Sequence, residues 1–193
     1  MIEIIKDYHE QAPRTFVDLG NDELNEIHCV LGFITEFGEL SDPYKKKLAY
    51  KKELDLVNVA EKWADFGWYL AVYVQLGFYD IEKYYKLLED QNDTEINDFF
   101  NNMMIDNLNP DHRVYAILTT FPVVLNSLLT VDNEETLVLF TNWWWTLGNE
   151  LGINKEKALS NNLAKLKARY PDKFTTENAL NRDLNKERNI LEN

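Results

Sequence analysis

Apolar residues recur along most of this chain three and four positions apart, the period of one face of an α-helix. The pattern predicts a short amphipathic helix over 2–12, stopped by Pro13. A longer helix is expected from the Asn21-Asp22-Glu23 cap to about Leu40, where Ser41-Asp42-Pro43 breaks it. Asp55 or a near neighbour starts a second long helix that ends near Gly77. The stretch 80–90 repeats the pattern with Ile81, Tyr84, Tyr85 and Leu88 on one side. The stretch 91–109 is polar, but Ile96, Phe99, Phe100, Met103 and Met104 predict a short helix between loops. Pro110 suits the first turn of a helix reaching about Thr130, kinked at Pro122. Asp132 or Asn133 caps another over 134–151, closed by Gly152. Helices over 154–169, ended by Pro171, and over 176–191 complete the reading. Sustained period-two alternation is missing. The predicted class is all-α, with about seven or eight helices in one domain spanning 1–193.

The two long helices carry acids where a purely structural helix would carry leucine or alanine. Glu36 and Glu39 are three apart and share a face, with Gly32 one turn earlier leaving room beside them. Asp65 lies within an otherwise apolar run, and Glu61 precedes it by one turn. A lone buried carboxylate is costly, so such groups are usually paired, protonated or bound to a metal. Clustered carboxylates on facing helices suit magnesium, a hard cation that takes oxygen ligands. The alternative places Glu36 and Glu39 on a solvated stripe and pairs Asp65 with a lysine.

Charge narrows the function classes. Among 193 residues, 20 Lys and Arg stand against 33 Asp and Glu, a formal charge of −13. That balance speaks against general binding to a nucleic-acid backbone, which needs a positive surface. Small anionic ligands stay open, because local charge and metals govern them. The single cysteine, Cys29, excludes an intramolecular disulfide, fits a reducing compartment and reads as a small buried hydrophobe. No stretch approaches ~20 uninterrupted apolar residues, and the N-terminus lacks the basic start and apolar core of a signal peptide. The expected location is cytoplasmic, away from membranes. His9, His28 and His112 are scattered without metal-ligand spacing.

Four blocks resemble the MazG-type all-α nucleoside triphosphate pyrophosphohydrolases. Gly32-Phe33-Ile34-Thr35-Glu36-Phe37-Gly38-Glu39-Leu40 is similar to the first half of that family's signature, and Glu61-Lys62-Trp63-Ala64-Asp65-Phe66-Gly67-Trp68-Tyr69-Leu70 to the second. Asn162-Leu163-Ala164-Lys165-Leu166-Lys167-Ala168-Arg169-Tyr170-Pro171 resembles its Asn-x-x-Lys-Leu-x-x-Arg-Tyr-Pro segment, and 8–15 its N-terminal Tyr-Gln…Arg-Thr pattern. The resemblance covers about half the chain and leaves about 80–142 as an insertion of helices. It implies a MazG-like helical bundle that cleaves a nucleoside triphosphate between the α and β phosphates with Mg2+. Implied metal ligands are Glu36, Glu39, Asp65 and the position held here by Lys62. Thr35 stands where the family's first glutamate stands. A lysine for a ligand swings the charge by two units beside a dication. Either Glu61 substitutes as a ligand, or the metal site is weakened or absent. The second outcome is a catalytically degenerate protein that binds or sequesters a nucleotide, or serves as an interaction protein.

Asn162, Lys165 and Arg169 fall at i, i+3 and i+7 on one helix face, against an apolar stripe of Leu159, Leu163, Leu166 and Tyr170. One amide and two cations facing one way suit a polyphosphate, the alternative being a solvated basic face. Trp143-Trp144-Trp145 cannot all enter one core, since neighbouring helix positions lie about 100° apart. One of them is expected at a partner helix, a pocket or a subunit interface. With the family's habit of association, this suggests a homodimer.

Overall fold

A computed structural model describes residues 1–90 and 108–192. The described residues form nine α-helices and no strand, so the chain is all-α. In order they are α1 (Ile2–Gln11), α2 (Asp22–Tyr50), α3 (Leu56–Gln75), α4 (Ile81–Asp90), α5 (Pro110–Val131), α6 (Glu134–Glu150), α7 (Lys155–Arg169), α8 (Thr176–Leu180) and α9 (Leu184–Glu192). A 3-10 turn, Ala12–Thr15, follows α1. The short helix expected within 91–109 lies almost wholly outside the described residues.

The helix starts follow the side chains that cap them. Asn21 accepts from the Leu24 N–H at 2.9 Å, Asp55 from Val57 and Asn58 at 3.1 and 3.2 Å, and Asn154 from Lys157 at 3.1 Å. Asn133 and Thr136 close a reciprocal capping box at the start of α6.

Two boundaries differ from expectation. α2 continues through Pro43 to Tyr50, although Pro43 cannot donate to the Glu39 carbonyl. A proline inside a helix costs about 3 kcal/mol. Burying Leu40 recovers about 1.5–3 kcal/mol, and Tyr44, one turn on, is buried too. Asp42 pairs with Lys45 and Lys46 along the continued turn. The last helix is split: Asn181 leaves helical geometry, and Asp183 accepts from the Lys186 N–H at 3.0 Å to start α9.

Contacts divide the chain into two compact units, one of Glu3–Leu76 with Asn154–Asn193, the other Gly77–Ile153. In the first, α3 packs on α2, α7, α9 and the 3-10 turn. α2 and α3 run antiparallel, since partners pair in reverse order: Glu26 with Tyr73, Phe33 with Phe66, Glu39 with Lys62. A Cβ on Gly32 would sit 2.2 Å from the Tyr69 ring, so the room at Gly32 is filled by that ring rather than left beside the acids. Cys29 is buried, and burial followed by the nearby Glu26 charge pushes its thiol up to about 12.

In the second unit, α6 packs on α4 and α5. Trp143 and Trp144 are both buried, and the Trp143 indole donates to Thr120 Oγ1 at 2.9 Å, while Trp145 is half-buried. By length and composition α5 is apolar enough to cross a membrane, with a mean hydropathy of 1.8 and 39% of that window buried. Thr119, Thr120, Asn126 and Ser127 interrupt it, so it escapes a count of uninterrupted apolar residues.

His9 is 1% exposed in α1, and burial holds its imidazole down at about 3. The unfolded chain protonates this group below its ordinary value of about 6.5, whereas the folded chain does not. Its contribution is therefore present above pH 6.5 and lost as the pH falls. Urea unfolding at pH 7.5 and 5.0 is expected to show a His9-dependent loss of about 1.4 kcal/mol per pH unit below 6.5, absent in His9→Gln.

Candidate functional site

The site forms where α7 lies against the α2–α3 pair. Asp65 sits at its centre, with a side chain 19% exposed. Its Oδ1 accepts from Asn162 Nδ2 at 2.7 Å and from Lys165 Nζ at 2.5 Å. Lys165, itself 1% exposed, also reaches Glu61 Oε1 at 3.0 Å. Behind Asn162, the Tyr8 hydroxyl lies 2.8 Å from Asn162 Oδ1 and 3.2 Å from the Ala64 carbonyl. Burial first, and the Asp65 charge second, raise the Tyr8 hydroxyl well above its ordinary value, so it stays a donor. A Tyr8–Asn162–Asp65–Lys165–Glu61 chain thus runs from α1 through α7 to α3.

Lys62 holds the other side. Its ammonium is 2.5 Å from Glu39 Oε2 and 3.7 Å from both Glu36 Oε2 and Asp65 Oδ2. The Glu36 and Asp65 oxygens are therefore no further apart than twice that distance. At an effective dielectric constant of 20, each contact near 4 Å attracts by about 4 kcal/mol, and two carboxylates at twice the distance repel by about 2. The three carboxylates therefore need that ammonium among them to lie this close. Burial disfavours the Lys62 charge, but Asp65, Glu39 and Glu36 together raise its pKa above the ordinary value. Burial pushes the Asp65 carboxyl up, yet Lys165, Lys62 and the Asn162 hydrogen bond outweigh it and hold it low. Glu36 goes the other way: burial, then the Asp65 charge, lift its carboxyl to about 7. Its Oε2 is buried and receives no hydrogen bond.

Four carboxyl groups, Glu36, Glu39, Glu61 and Asp65, thus share two ammoniums, Lys62 and Lys165, and with Glu36 about half protonated at neutral pH the cluster keeps between one and two negative charges in excess. This donor set suits a hard dication in chemistry. As arranged, however, no three acid, His or Cys side chains among the described residues are gathered to hold a metal.

A cavity of about 300 Å³ opens beside the cluster. Glu36, Glu39, Lys62 and Asp65 line it together with Arg169 and Arg182. Aromatic walls come from His28, Trp68, Tyr69, Tyr170 and Phe174. The Trp68 indole N–H is fixed by the Ala12 carbonyl at 2.9 Å and Thr15 Oγ1 at 3.1 Å. His28 stacks on Phe16 at 5.4 Å and meets the edge of Tyr69. Arg14 donates to the carbonyls of Tyr170 and Asp172 at 3.1 and 3.3 Å, tying the N-terminal segment to the Tyr-Pro segment.

Of the expected site residues, Glu36, Glu39 and Asp65 meet at this cavity, and Arg169 lines it. Glu61 does not line it but pairs with Lys165. Asn162 and Lys165 are buried, the Asn162 amide N–H and the Lys165 ammonium spent on carboxylates and the Asn162 oxygen on Tyr8, so they brace Asp65 rather than present an open phosphate face. Their face of α7 is buried along with Leu159 and Leu166. Sequence reasoning missed Tyr8, His28, Trp68 and Arg182. Tyr8 stands in the N-terminal block that carries the resemblance, which was its one signal.

A bracing Lys165 and a surface Lys165 differ in stability. Lys165→Met leaves Asp65 and Glu61 without their shared cation, and breaking a buried pair costs about 3–5 kcal/mol, against about 0–1 kcal/mol for an exposed one. Urea unfolding at pH 7 is expected to show the larger loss, with part of it restored by adding Asp65→Asn.

No protein-family model, curated protein or solved structure matches the chain.

Proposed function

We propose that the α2–α3–α7 site binds a nucleoside triphosphate with magnesium and hydrolyses it between the α and β phosphates, giving a monophosphate and pyrophosphate. The observation that carries this reading is the excess of carboxylate over ammonium, with Glu36 Oε2 buried there without a donor. A dication binding there would displace the Glu36 proton and balance the four carboxylates against the two ammoniums. Glu36, Glu39 and Asp65 would hold it once Lys62 turns its ammonium outward, along the cavity it already lines. Bound there, magnesium lowers the pKa of a water and polarises a phosphoryl oxygen.

The rest is the work of the chain's own residues. Glu36 Oε2 takes the proton of the attacking water as its oxygen bonds to the α-phosphorus and the bond to the bridging oxygen breaks. The electron pair of that bond leaves with pyrophosphate. Asn162 and Lys165 keep Asp65 aimed, Arg169 meets phosphate oxygens, and Trp68 and Tyr69 offer ring faces to the base.

A second reading is favoured by the contacts of Lys62 with all three acids. Here the ammonium stays as a built-in cation, and the protein binds a nucleotide without turning it over. Pyrophosphate release across canonical ribo- and deoxyribonucleoside triphosphates, with and without magnesium, separates the two. The hydrolase releases pyrophosphate only with magnesium, and Lys62→Glu raises the rate. Nucleotide binding indifferent to magnesium, with no release in wild type or Lys62→Glu, establishes the binder instead.

A homodimer is proposed as well, through α2. Leu24, Ile27, Leu31 and Ile34 follow a 3-4-3 spacing, each between 45% and 55% exposed, a self-complementary apolar seam. Sedimentation is expected to show a dimer at tens of micromolar and a monomer for Ile27→Glu/Leu31→Glu. A wild-type monomer refutes it.

A further inference from the structure

Two arginines that line the same cavity share one carboxylate. Arg169 donates through Nε and Nη2 to Glu187 Oε1 and Oε2 at 2.8 and 2.6 Å. Arg182 approaches the same carboxylate through Nη2 at 2.6 Å and Nε at 3.4 Å. Glu187 is 5% exposed, and although burial works against its charge, the two guanidiniums hold its carboxyl down at about 2. It is thus a fixed anion at neutral pH. One carboxylate neutralises one guanidinium, so the Arg169–Arg182–Glu187 group keeps a net positive charge, opposite in sign to the acid cluster. A guanidinium has five N–H donors in a planar fork, and each arginine gives Glu187 two. Donors are left over on two side chains that line a cavity of about 300 Å³.

Arg182 owes this position to the break between α8 and α9. Were 176–191 one helix, Arg182 would lie five residues before Glu187 on a continuous turn pattern, outside the i+3 and i+4 contacts of a helix. The cap at Asp183 lets the chain turn and brings Arg182 back to Glu187.

We propose that Arg182 is an anion-binding residue of this cavity and that Glu187 positions it beside Arg169 as a clamp for a di- or triphosphate group. The clamp shares the cavity of the proposed function but needs neither magnesium nor hydrolysis. Two forks turned on one carboxylate can also bridge two phosphoryl groups, which distinguishes a polyphosphate from a single phosphate.

The test is calorimetric titration of the full chain with inorganic tripolyphosphate, in chelator so that no metal contributes. ATP and adenosine serve as parallel ligands. Wild type is expected to bind tripolyphosphate and ATP but adenosine at least tenfold more weakly. Arg182→Gln is expected to weaken tripolyphosphate at least tenfold and to flatten its salt dependence. Arg182→Lys keeps the charge but loses the fork, and is expected to fall between. Arg188→Gln, an exposed arginine held by Asp55 and Glu192, is expected to bind as wild type does. The proposal is overturned if wild type does not bind tripolyphosphate, if Arg182→Gln binds it unchanged, or if Arg188→Gln loses as much. Should Arg182→Gln fail to fold, Arg182→Lys decides: binding equal to wild type overturns the clamp. Tripolyphosphate binding that depends on Arg182, in a protein releasing no pyrophosphate with magnesium, removes the hydrolase and leaves the clamp.

Discussion

Asp65 is a carboxylate set into the most apolar helix of its unit, and the packing around it follows from the need to compensate that charge. Oδ1 is met from α7 by Asn162 and Lys165, and Oδ2 is faced by Lys62 from its own helix. Leaving it unpaired would cost several kcal/mol, a large share of the 5–15 kcal/mol that holds an ordinary domain together. The position of α7 on α3 is therefore fixed by polar contacts as much as by Leu159 and Leu166. The same demand reaches α1, because Asn162 can aim its amide at Asp65 only while Tyr8 satisfies its carbonyl oxygen. The segments that meet here are 154 and 100 residues from their partners in sequence.

This long range explains what the sequence did and did not disclose. Helices are local, so periodicity and caps revealed all-α class, the starts at Asn21, Asp55, Asn133 and Asn154, and the stop before Pro171. Pro43 misled because its local cost is set against tertiary burial of Leu40 and Tyr44, which no window of sequence displays. The break at Asn181–Asp183 was hidden in a charged, leucine-spaced stretch whose outcome depends on Glu187 finding two arginines. For the site, acids on apolar helices pointed to Glu36, Glu39 and Asp65. Spacing gave Asn162, Lys165 and Arg169 a common face, but not whether that face meets solvent or carboxylates. Burial answers it differently for each: Lys165 is 1% exposed, whereas the Arg169 side chain is 14% exposed and lines the cavity. Two segments named as separate features, the Tyr8 and Arg14 block and the Tyr170-Pro171 block, turn out to be mutual supports.

Lys62 makes the chemistry of the site conditional. A single ammonium among three carboxylates leaves the cluster negative, and a polyphosphate approaching it alone meets repulsion. On the proposed clamp, a polyphosphate is drawn toward Arg169 and Arg182 and held off the acids until the charge there changes sign. On the proposed function, that change is the arrival of a dication with the ligand, and Lys62 is free to move only once its three contacts are replaced. The side chain has the means, since it is 21% exposed on a flexible stem and lines the cavity into which it would turn. On that proposal the Lys62 ammonium occupies the cation's place in the empty cavity and yields it to the dication in the filled one. The same lysine that argues against metal binding in the empty cavity thereby becomes compatible with turnover in the filled one, provided metal and nucleotide bind together rather than in sequence.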